Sequence, residues 1–147
     1  MNKSTRRPVS LLAAALGTAA LLFVAVACTK GPTPSVNFLE PTEGATVSAG
    51  SVKLFIEATN FMIVNQLGKS NRGGEGHVHF FLDVDPIPTT KGKPAVSAEG
   101  TYHAVAASSY TIPGIAPGKH TLAVELVNND HTPLDPPVVA AISITAK

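Results

Sequence analysis

From residue 36 to the C-terminus the chain is a series of short runs of alternating apolar and polar residues, each bounded on at least one side by glycine or proline. No stretch of it sustains a 3.6-residue period. A period of 2 sends successive side chains to opposite faces of an extended strand, so such a run offers one face to a core. The runs fall at 36–39, 52–58, 78–84, 110–112, 120–127 and 138–145. The breaks include Pro41-Thr42-Glu43-Gly44, Gly50-Ser51, Asp85-Pro86, Pro113-Gly114, Pro117-Gly118 and Pro136-Pro137. Short strands at this spacing predict an all-β fold, an antiparallel sandwich of about seven strands. Its core would take Val52, Leu54 and Ile56 from one layer. The facing strands would supply Val78, Phe80, Leu82 and Val84, together with Leu122, Val124 and Leu126. The run 61–67 fits either a strand or one helical turn. Met62 lies in it and is expected in the core rather than as a soft metal ligand.

Two stretches, 37–58 and 117–130, resemble bacterial immunoglobulin-like domains. The resemblance implies strand A near 36–39, B at 52–58, C at 77–84, E at 108–112, F at 120–128 and G at 138–145, with a strand D near 94–98. The sandwich is therefore expected to be immunoglobulin-like or cupredoxin-like. A blue-copper centre is excluded, because it needs a cysteine thiolate and the sole cysteine, Cys28, precedes the domain.

The N-terminus has Lys3, Arg6 and Arg7 ahead of an apolar run at 9–27 that ends at Cys28, the pattern of a secretory signal peptide. Ala27-Cys28 resembles the lipobox of bacterial lipoproteins, with Ala25 where leucine is commoner. The resemblance implies cleavage before Cys28, a diacylglycerol on its thiol and an acylated new N-terminus. Residues 1–27 would then be signal, 28–35 a lipidated cysteine with a Pro/Thr-rich spacer, and 36–147 the domain. Two or three acyl chains anchor stably where one is marginal. Thr29 in place of aspartate implies an outer-membrane location where the host has two membranes. The competing readings are an uncleaved anchor, since 9–27 is about long enough to span a bilayer, and an ordinary signal peptide with a coincidental cysteine after it. Each of these readings puts the domain outside the cytoplasm. Without residues 1–27 the formal charge changes from +1 to −2, so no nucleic-acid partner is expected. No disulfide can form within the domain.

Five histidines remain: His77, His79, His103, His120 and His131. His77 and His79 share one face of strand C, opposite Val78 and Phe80, and two such imidazoles can chelate one ion. The competing reading is a pair of half-exposed residues on a solvated sheet face. In a sandwich the B–C, D–E and F–G loops gather at one pole. That would bring His77, His79, His103 and His131 together, with Asp130 as a direct or supporting oxygen ligand. His120 opens strand F at the other pole and is expected to be structural. Asp83 and Asp85 read as a solvated turn.

Gly76-His77-Val78-His79, Tyr102-His103, Pro117-Gly118-Lys119-His120-Thr121-Leu122 and Asn129-Asp130-His131-Thr132-Pro133, followed by Pro136-Pro137-Val138, are similar in order to a family of small secreted bacterial domains of unknown function. The resemblance covers roughly 74–145 and implies the fold and the histidine cluster but no reaction. The expected role is binding, storage or delivery of copper or zinc by a lipid-anchored, extracytoplasmic domain. The rival is a metal-free adhesion or envelope-assembly module that docks an envelope protein or glycan. An enzyme is not expected, because no general base or nucleophile motif is present.

Overall fold

The computed structural model describes residues 31–147. Cys28 and the expected signal segment, 1–27, lie outside the described residues. Nine strands follow in order: β1 (Ser35–Glu40), β2 (Thr46–Val47), β3 (Gly50–Thr59), β4 (Met62–Ile63), β5 (Glu75–Leu82), β6 (Tyr102–Val105), β7 (Ser109–Ile115), β8 (Gly118–Val127) and β9 (Pro133–Ala146). They form a β1-β3-β7 sheet and a larger sheet ordered β2-β9-β8-β5-β4, with β6 also paired to β5. The principal pairings are antiparallel; only the two-residue strands β2 and β4 pair in parallel. The predicted sandwich is present, with strands A, B, C, E, F and G as β1, β3, β5, β7, β8 and β9.

The interior follows from alternation. Val52, Leu54 and Ile56 of β3 and Ile112 of β7 pack against Val78 and Phe80 of β5 and Leu122, Val124 and Leu126 of β8. Each such side chain contributes about 1.5–3 kcal/mol through burial.

Four expectations need correction. No strand lies at 94–98; the segment between β5 and β7 instead contributes β6, which joins β5 as a neighbour in the large sheet. Val84 is not part of strand C, because β5 ends at Leu82 and Asp83 turns the chain with φ of 55°. Met62 is not in the core but 63% exposed, since the two-residue β4 only touches the start of β5. The 61–67 run thus resolves as a short strand and loop. Finally, β5 has no solvated face. His77, His79 and Phe81, on the side away from Val78 and Phe80, are fully buried.

That outer face is covered by irregular chain. The segment 83–101 reaches back to it, and Ala95 is fully buried there. Ala95 N–H donates to the His131 carbonyl at 2.8 Å. A strand buried on both faces usually reads as a continuous apolar run. Here the second face carries two imidazoles, which marks it for something other than packing.

Candidate metal centre

The site begins with a glycine. A Cβ on Gly76 would lie 2.0 Å from the Val127 carbonyl oxygen and 2.9 Å from the Phe61 ring. Only glycine lets β5 approach β8 this closely just before His77. From there the pleat carries His77 and His79 onto the outer face, in register with Val127 and Glu125 of β8.

The third histidine arrives on the β8–β9 connection. Asn128 and His131 close a tight turn, with His131 N–H donating to the Asn128 carbonyl at 3.0 Å and Asn128 N–H to the Thr132 carbonyl at 2.8 Å. His131 holds φ of 68°, a left-handed conformation that costs a non-glycine residue about 1–2 kcal/mol. The Asp130 carboxylate offsets part of this, because one of its oxygens accepts from Thr132 N–H at 3.0 Å and from the Thr132 hydroxyl at 2.7 Å. The loop before β5 braces the same turn. Asn129 is buried and donates to the Ser70 carbonyl and to Glu75, and Asp130 N–H donates to the Asn71 side chain.

The result is a triangle of ring nitrogens. His77 Nε2 lies 3.0 Å from His79 Nε2 and 3.1 Å from His131 Nδ1, and the last two are 3.0 Å apart. These three residues could hold a metal ion. An ion about 2.05 Å from each nitrogen would sit about 1 Å off their plane, with N–metal–N angles of about 95°. Such a cap holds one side of an ion and leaves its other side open.

The protonation states suit a cation. His79 Nδ1 faces the Ala95 carbonyl at 2.6 Å, and a carbonyl only accepts, so the ring proton is on Nδ1 and Nε2 offers its lone pair. Burial, then the neighbouring His79 and His131, lower the His77 pKa to about 3, against a smaller upward pull from Asp130. Burial lowers the His79 pKa to about 4, with the Ala95 bond opposing. Both rings are therefore neutral at ordinary pH, the state that ligates metal. His77 Nδ1 is buried without a partner.

His103 is not with the trio. It lies on β6 opposite Phe80 in register, hence on the core side of the sheet, and its Nδ1 lies 3.2 Å from the Tyr110 hydroxyl. The expectation failed because the segment was read as a loop at the pole, whereas it is a strand, and strand parity turns the ring inward. Asp130 is not part of the cluster either. It shapes the turn that carries His131. His120 is structural as expected: its two nitrogens meet Asp83 at 2.7 Å and the Ala116 carbonyl at 2.8 Å. Asp83, read as a solvated turn, is its partner and also accepts from Thr121 N–H.

One residue of this face was missed. Glu125 on β8 is fully buried, and neither carboxylate oxygen has a hydrogen-bond partner. Its only sequence signal is an acid at an odd-parity position inside an otherwise apolar strand, Leu122 to Val127.

The sequence model of a family described as "Domain of unknown function (DUF4399)" matches residues 54–147. No curated protein matches the chain. Among solved structures, the chain is similar to fibronectin(III)-like modules of Clostridium thermocellum CbhA, at 16% identity and a TM-score of 0.43, covering 78% of this chain and 46% of that one. It is also similar to an engineered protein at 10% identity and a TM-score of 0.42, covering 78% of this chain and 20% of that one. The chain thus spans less than half the length of either.

Proposed function

This chain belongs to the DUF4399 family, and from its histidine triangle we propose that it binds a copper or zinc ion through His77 Nε2, His79 Nε2 and His131 Nδ1. One observation carries the reading: three imidazoles drawn from a strand and a distant turn aim nitrogens at one point, all within 3.1 Å of one another. Imidazole ligands favour copper and zinc among the common divalent ions. A metal-free adhesion module has no need to bury two neutral histidines or to hold a third in a left-handed conformation. The role proposed is binding, storage or delivery of the ion. The lipobox-like Ala27-Cys28 supports a lipid anchor and an extracytoplasmic setting, at the outer membrane in a host with two membranes.

The test is titration calorimetry of the purified protein with Zn(II) and Cu(II). Joint replacement of His77 and His79 by alanine should abolish binding, and His131→Ala should weaken it by about tenfold or more, or about 1.4 kcal/mol. A wild-type dissociation constant weaker than about 100 μM, a level scattered surface histidines reach, would sink the proposal.

A further inference from the structure

Among the described residues Glu125 is the one buried carboxylate of the outer sheet face, and neither of its oxygens has a hydrogen-bond partner there. It lies directly opposite His79 in the β5–β8 register, on the face that also carries His77 and Phe81. Residues opposed in this way have Cβ atoms about 4.5–5.5 Å apart, and neighbours one step along the strand are still within reach of long side chains. The described ion pairs are Lys91 with Asp135 and His120 with Asp83, and neither involves Glu125. Asp130, the other acid near His77, is exposed, so water screens its charge.

A buried charge without a partner is costly, and an apolar side chain of similar size would serve packing better. The histidine triangle has the complementary deficit. Three imidazoles bring no negative charge, so a divalent ion among them would leave two positive charges in a desolvated site. Each group lacks what the other supplies. We propose that Glu125 is the counter-charge of the histidine site and makes it select divalent over monovalent ions. The inference rests on the metal reading above and adds to it the class of ion. The carboxylate attracts a doubly charged ion twice as strongly as a singly charged one at the same place, and low local dielectric magnifies the difference. Cu(II) and Zn(II) therefore gain from Glu125, and Cu(I) gains about half as much free energy.

The experiment measures Zn(II), Cu(II) and Cu(I) affinities of the purified full-length protein by chelator competition, with Cu(I) held under reductant. Glu125→Gln keeps the shape and removes the charge. It should weaken Zn(II) and Cu(II) binding by tenfold or more and Cu(I) binding by only about the square root of that factor, or about threefold for a tenfold divalent loss. Glu125→Asp, which keeps the charge, should recover at least half of the lost divalent affinity on a logarithmic scale. A Gln variant with unchanged divalent affinity overturns the inference while leaving the metal reading intact. Equal losses for Cu(I) and the divalent ions, or no recovery in the Asp variant, also overturn it and make Glu125 a packing residue. A wild type that binds none of the three ions overturns both readings.

Discussion

Removing the Glu125 charge should stabilise the metal-free protein, and only above a definite pH. Burial raises the carboxyl pKa from an ordinary 4.5 to about 7. The folded state therefore holds this proton more tightly than the unfolded chain does. Between pH 4.5 and 7 the folded state binds more protons, so its contribution to stability is full at low pH and is lost as pH rises through that window. The interval corresponds to about 3 kcal/mol once both states are ionised. Glutamine has no such penalty and resembles the protonated acid in shape and polarity. Glu125→Gln should thus match wild type near pH 4.5 and exceed it by about 3 kcal/mol at pH 8. Urea unfolding of chelator-treated protein at several pH values measures this. With an m-value of about 1–3 kcal/mol per molar urea, the midpoints at pH 8 should differ by about 1–3 M. Two curves separated by a constant offset, or a variant less stable at pH 8, would refute the reasoning. The same substitution is expected to weaken divalent-ion binding, so the stability gain should shrink or reverse when zinc is present.

His77 and His79 give a pH dependence of the opposite sign: their folded pKa values of about 3 and 4 lie below the ordinary 6.5, so metal-free stability should fall as pH drops below 6.5, by up to about 1.4 kcal/mol per pH unit for each ring. His77→Ala should flatten that slope in the same urea series, and an unchanged slope would count against the burial of the ring. Gly76→Ala forces β5 and β8 apart at Val127, and should cost at least tenfold in zinc affinity by calorimetry, while Gly73→Ala, at an open position, should cost nothing measurable. His103→Ala should leave zinc affinity within twofold and lower stability by about 1–2 kcal/mol, through the lost Tyr110 contact. Cys28→Ala should carry no lipid, and palmitate labelling of that variant would contradict the lipobox reading.

Alternation by itself determined the sandwich, because a period of 2 can bury only one face, and Val52, Leu54, Ile56, Val78, Phe80, Leu122, Val124 and Leu126 could meet only in one core. The same parity argument placed His77 and His79 together on the second face. Knowing which loops share a pole was enough to add His131. What the sequence could not specify was the fate of that second face. The segment 83–101 has no hydrophobic period, so nothing in it announced that Ala95 would come to rest against His79 and His131. Without that cover His77, His79 and Glu125 read as a half-solvated polar surface. With it they are desolvated, the pKa values of the imidazoles and the carboxylate shift in opposite directions, and an unpaired carboxylate shares the buried face with the converging ring nitrogens. The position of His103 was decided the same way, by β6 pairing with β5 where a loop at the pole was expected. Local pattern reports how each strand divides its two faces. What covers each face, and so what each polar group must do without, depends on contacts between residues far apart in the chain.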